Sequence, residues 1–138
     1  MGIPDTNALL RRYLVSQSAI TNEVSTRVYS GRLPKDFNDD TVAKTIMFLR
    51  SGGMSAIDGP EVSPSYQFRC IGANEGAAQS VYRIFFDVMK AINHATVTSY
   101  GTIIHAIETS PARDMIDPDV ETFHYVMSFW SITMRAAS

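Results

Sequence analysis

The chain has 138 residues and a mass of 15.3 kDa, which is room for one packed core and not for two. Hydrophobic residues at 45% and charged residues at 19% exclude a disordered, collagen-like or coiled-coil chain. Twelve basic against fourteen acidic residues leave a formal net charge of −2, so no bulk attraction to nucleic acid or anionic lipid is expected, and the single cysteine excludes an intramolecular disulfide.

Pro4, Asp5 and Thr6 supply a helix start, and Leu9, Leu10, Tyr13 and Leu14 then recur at helical spacing, with Ile20 and Val24 in a short second piece. Arg27-Val28-Tyr29-Ser30 reads as a short strand closed by Gly31 and Pro34. A polar, turn-rich loop follows over 35–40. Thr45 to Arg50 is strand-like, although Met47 and Leu49 also suit a helix. Ser51 to Pro64, rich in Gly and Pro, predicts an exposed hairpin arm or a mobile loop. Tyr66, Phe68 and Cys70 alternate with Gln67, Arg69 and Ile71, the pattern of a strand with one apolar and one mostly polar face.

Asn74 is placed to cap a long helix whose apolar positions are Ala77, Val81, Ile84, Phe85, Val88 and Ile92, widened by Tyr82, Phe86 and Met89. Ala95 to Thr98 leads through Gly101 into the β-branched strand Thr102–Glu108. A polar, acidic turn is expected from Pro111 to Thr122. The last strand, Phe123 to Met134, is apolar on both faces, so it is expected to sit centrally or to have one face covered by another subunit. These elements form a single α+β domain over 1–138: a mostly antiparallel sheet of four to five strands packed against two helices, with a flexible hairpin arm or loop.

Chemistry is sparse. His94, His105 and His124 with Cys70 match no zinc spacing; His105 and His124 lie on neighbouring predicted strands, but ordinary polar positions are the favoured reading. Asp114, Asp117, Asp119 and Glu121 are acidic, yet Thr122 stands where a calcium loop counted from Asp117 needs Gly, which favours a solvated turn. There is no nucleophile elbow, P-loop or dinucleotide fingerprint, and Cys70 is expected in the core. No cofactor, no metal and no catalytic activity are expected. Residues 1–20 hold no apolar run of signal-peptide length, and runs such as Ile84–Phe86 are far below the ~20 residues of a membrane span, so a soluble protein made in a reducing cytoplasm is expected.

The order of elements resembles that of the tail-completion, or tail-terminator, proteins of long-tailed bacteriophages. The resemblance runs over nearly the whole chain. It rests on Arg27-Val28-Tyr29-Ser30-Gly31-Arg32-Leu33-Pro34, on Tyr66-Gln67-Phe68-Arg69-Cys70 leading to Asn74-Glu75-Gly76-Ala77, and on Asp117-Pro118-Asp119 followed by Phe123-His124-Tyr125 and Phe129-Trp130. The sequence departs from the family's pattern at Asp39 to Lys44, where a Pro with aromatic and β-branched residues is usual, and at Ser131 after Trp130.

The resemblance implies a homo-hexameric ring that caps the tail tube, docks on the tail-tube protein and on head-tail connector proteins, and lets DNA pass without sequence-specific binding. It implies a virion protein of the tail or neck, assembled in the host bacterial cytoplasm. Loops at the ends of the sheet are the family's tube contacts, and they match Ser51 to Pro60 and Pro111 to Glu121 here. Expected assembly contacts are therefore Arg32, Arg50, Ser51, Gly52, Gly53, Met54, Asp58, Arg69, Arg113, Asp117, Asp119 and Glu121, where arginines suit bidentate carboxylate pairing. Another neck or minor tail protein of the same particle, or a small ligand-binding or enzymatic α+β domain, is the alternative.

Overall fold

The computed structural model describes residues 5–31, 43–55, 61–116 and 124–136. Asp5 begins the fold as the cap of α1 (Thr6–Ser16), its side chain accepting from the Ala8 amide at 3.1 Å. The extended backbone of Gln17 then breaks the helix, and α2 (Ser18–Val24) follows as a separate piece. Leu9, Leu10, Leu14, Ile20 and Val24 all turn inward.

Three strands follow: β1 (Val28–Ser30), β2 (Thr45–Ser55) and β3 (Glu61–Gly72). Helix α3 (Glu75–Lys90) starts where the Asn74 side chain accepts from the Ala77 amide at 2.8 Å, as the cap predicts. Strands β4 (Ala95–Val97), β5 (Gly101–Ile116) and β6 (His124–Ala136) complete the chain. The sheet order is β1-β2-β3-β6-β5-β4; β1 runs parallel to β2 and every other neighbour is antiparallel.

The expected class is right in outline and wrong in count. Among the described residues six strands replace four to five, because Ala95–Val97, expected only as a lead-in, folds back through the turn at 98–100 to pair with Gly101–Ile103. Three helices among the described residues replace two, because α1 and α2 are separated at Gln17. Of the arm expected at 51–64, residues 51–55 and 61–64 are paired strand, so the hairpin alternative holds there and 56–60 lie outside the described residues. The acidic turn expected from Pro111 begins later, since β5 continues to Ile116 opposite His124. Residues 117–123 lie outside the described residues.

One face of the sheet carries the core. Even-numbered side chains of β2, β3 and β6, among them Phe48, Tyr66, Phe68, Val126 and Trp130, meet Val81, Phe85 and Met89 of α3 and the leucines of α1. The inward stripe of α3 is Ala78, Val81, Phe85 and Met89, whereas Ile84 and Val88, expected to be inward, are half-buried; the crossing over β3 fixes which side of a broad apolar helix is covered. Gly72 permits this crossing, because a Cβ there would lie 2.5 Å from the Ala78 nitrogen. Gly101 does the same at the start of β5: with φ +143° it lets the strand pass the Arg135 carbonyl, 2.3 Å from where a Cβ would stand.

Candidate interaction surface

The second face of the sheet is built by the other set of side chains. Directly opposed residues on neighbouring strands point the same way, so Tyr29, Met47, Arg69, Met127 and Arg113 form one continuous rung across five strands. Leu49, Gln67 and Phe129 stand on the neighbouring positions of that face, and all three are half-buried. Met47 and Ile71 are buried on this side, apart from the main core. The two-sided apolar character read for the last strand is therefore real: β6 lies centrally between β3 and β5, with Val126, Trp130, Ile132 and Met134 in the core and Tyr125, Met127 and Phe129 on the opposite face.

Arg69 sits in the middle of this second face. Its guanidinium carbon is 5.1 Å from the Tyr125 ring centroid, and its buried Nε donates to no acceptor among the described residues. Beside it, the Gln67 amide donates to the Met127 sulfur at 3.1 Å. Arg113 is exposed on β5, across Met127 from Arg69. Two of the predicted arginines are thus brought to one rung.

Arg50, Ser51 and Gly52 lie elsewhere, on the outer edge of β2, all exposed, with a bulge between Arg50 and Gly52 and φ +148° at Gly52. Gly53 and Met54 continue the strand opposite Pro64 and Ser63. Arg32, Asp58, Asp117, Asp119 and Glu121 lie outside the described residues. Among the described residues the only ion pair is Lys44–Glu23, so Arg50, Arg69 and Arg113 carry charge that no carboxylate within the described chain neutralises.

Both borders of the sheet are stepped. Beyond β2, only Ile46 to Phe48 are flanked, by β1; beyond β5, only Gly101 to Ile103 are flanked, by β4. Among the described residues the remaining backbone of each outer long strand has no strand beside it. The exposed large apolar side chains gather on β5: Ile107 (57% exposed), Met115 (37%) and Ile116 (48%). Sequence reasoning missed Met115 and Ile116 because a turn was placed over the end of β5. The alternation Met115–Arg113, in phase with Met127, is the signal that points to them.

Two concavities among the described residues are small. A depression of about 190 Å³ between α3 and the β5–β6 end is lined by Glu75, Asp114, Met115, His124 and Tyr125. Its two carboxylates are tied by one amide, Gln79 Nε2, at 3.2 Å from Glu75 and 3.3 Å from Asp114. A groove of about 270 Å³ runs between the helices past Tyr13, Gln17, Ile84 and Val88. Both are below the usual size of small-molecule sites, about 300–1,000 Å³. The histidines do not converge: His105 is opposite Thr133 and His124 opposite Ile116. Cys70 is buried, and burial pushes its thiol well above the ordinary range, which suits a core position. No group of side chains with metal-ligand geometry and no helix long and apolar enough to cross a membrane occurs among the described residues.

No protein-family model matches the chain, and none of the curated proteins does. Its fold is shared with a chain of the solved structure "Virion of native gene transfer agent (GTA) particle", at a TM-score of 0.60 and 15% sequence identity, over 92% of this chain and 92% of that one.

Proposed function

We propose that this chain is a virion structural protein that assembles into a ring of six copies, caps a phage tail tube and presents the surface that joins tail to head. The observation that carries the reading is the second face of β6, where Tyr125, Met127 and Phe129 add apolar surface outside the core of a single copy. A domain of this size rarely leaves such a face without a neighbour. The fold shared along nearly the full chain with a component of a virion structure supports the same class.

On this reading the protein acts by docking. Its partners are its own copies, the tail-tube protein and head-tail connector proteins, with DNA passing through the ring unread. The described parts of the two contact segments, 51–55 and 111–116, lie at opposite ends of the sheet, so one segment docks on the tube and the other faces the connector proteins. Its place is the tail or neck of the particle, reached by assembly in the bacterial cytoplasm.

Electron microscopy of particles made without this protein tests the reading. Separate heads and tails, with tails of irregular length, are expected. Joined particles of normal tail length would overturn it.

A further inference from the structure

We propose that neighbouring copies join through the two stepped borders of the sheet, the β1–β2 border of one copy against the β5–β4 border of the next, with Tyr29 of one set beside Arg113 of the other. This rests on the ring reading above and specifies where copies meet, leaving the second face of β6 to the other partners of the ring. In a closed ring successive copies are related by rotation without rise, and the contact is head-to-tail. With the strands along the ring axis, residues on the same rung meet at the junction.

The steps are complementary. β1 projects at the rungs of Ile46 to Phe48, where among the described residues no strand flanks the outer side of β5; β4 projects at the rung running from Ile103 through Met134 and Val62 to Ser55, where among the described residues no strand flanks the outer side of β2. Each projection therefore enters the other border's recess. Strand directions agree as well: β5 of one copy meets β1 of the next antiparallel.

Side-chain chemistry at the junction is matched. The five-strand rung ends in the half-buried Tyr29 ring on one border and the exposed Arg113 guanidinium on the other, both on the second face, the arrangement of a cation–π contact. Three residues along β2, the rung through Tyr66 and Trp130 ends in Arg50 on one border and Glu108 on the other, both on the helix side. Between the projections the two long strands stand about two ladder spacings apart, ~10 Å. Two long side chains of opposite charge span that gap. Glu108 already accepts from the Tyr82 hydroxyl through Oε2, which orients it and leaves Oε1 for Arg50.

Oxidative cross-linking of the full chain tests the junction. Within one copy Tyr29 and Arg113 are four ladder steps apart, ~19 Å, whereas a disulfide needs Cα atoms within about 7 Å. The double variant Tyr29→Cys/Arg113→Cys can therefore bridge only between copies. A ladder of covalent dimers, trimers and larger species is expected from it, and no species beyond dimers from either single variant. Arg113→Ala, at an exposed site, is expected to raise the concentration needed for assembly about tenfold while the melting temperature stays that of the parent. If the unmodified protein forms multimers by light scattering but the double variant gives no ladder, the junction is wrong and the ring stands. If the unmodified protein stays monomeric at every concentration and no ladder forms, both fall.

Discussion

The indole of Trp130 meets the ring of Phe85 edge-on, with centroids 5.8 Å apart and planes at 86°. Phe86 touches the same indole from a second direction, and the indole N–H donates to Ser128 Oγ at 3.1 Å. This contact fastens α3 to the central strand. Trp130→Ala is expected to destabilise the fold by about 3–5 kcal/mol. Chemical denaturation reads it directly, and an unchanged midpoint would deny Trp130 its structural role.

Two glycines near the start of α3 behave oppositely. A Cβ on Gly72 meets the backbone of α3, which cannot yield cheaply, so Gly72→Ala is expected to cost about 1–3 kcal/mol. A Cβ on Gly76 comes no closer than 3.4 Å to Asn74 Oδ1. Gly76→Ala therefore gains helix propensity, up to about 1 kcal/mol. Thermal melts of the two variants should move in opposite directions.

Glu23 accepts from Lys44 Nζ and from Ser80 Oγ, linking α2 to the start of β2 and to α3. The Lys44 ammonium holds its carboxyl below the usual range, against a smaller opposing effect of burial. The folded state thus favours the carboxylate. Its contribution is full above the unfolded value of about 4.3 and fades as pH falls through the lower folded value. Glu23→Gln is expected to lose up to about 1 kcal/mol at pH ~7, and urea titrations should show the gap to the parent closing as pH falls below the unfolded value.

Tyr82 donates to Glu108 at 2.5 Å from α3 to β5. Partial burial, then the carboxylate, pushes its phenol well above the ordinary range. A raised acid contributes fully below the unfolded value of about 10, and that contribution is lost as pH rises through the higher folded value. Tyr82→Phe should cost about 0.5–1.5 kcal/mol at neutral pH. It should also remove one late-ionising phenol from an ultraviolet alkaline titration; an identical titration curve would contradict the assignment.

The elements with strong local signals were legible in the chain. Asn74 announces α3 by its cap, Asp5 announces α1, and the alternation Tyr66-Gln67-Phe68-Arg69-Cys70 announces β3. What stayed hidden depends on pairing. Ala95–Val97 is too short to show a period, and it becomes a strand only because Gly101–Ile103 lies beside it. Pro111 and the acidic residues after it look like a turn, yet β6 holds Arg113 to Ile116 in the sheet despite register shifts around Ser110. The arginines were visible as candidates, but their division between the second face and the borders follows from strand register, which no local pattern encodes.

Sulfur is distributed unevenly over the molecule. The one thiol, Cys70, is sealed beneath α3 and held protonated, so peroxide and alkylating agents have little purchase on it. The thioethers of Met115 and Met127, by contrast, stand exposed or half-buried outside the core. Oxidative ageing of the protein should therefore convert greasy thioethers there into polar sulfoxides and leave the interior chemically intact, altering the surface before it touches the fold.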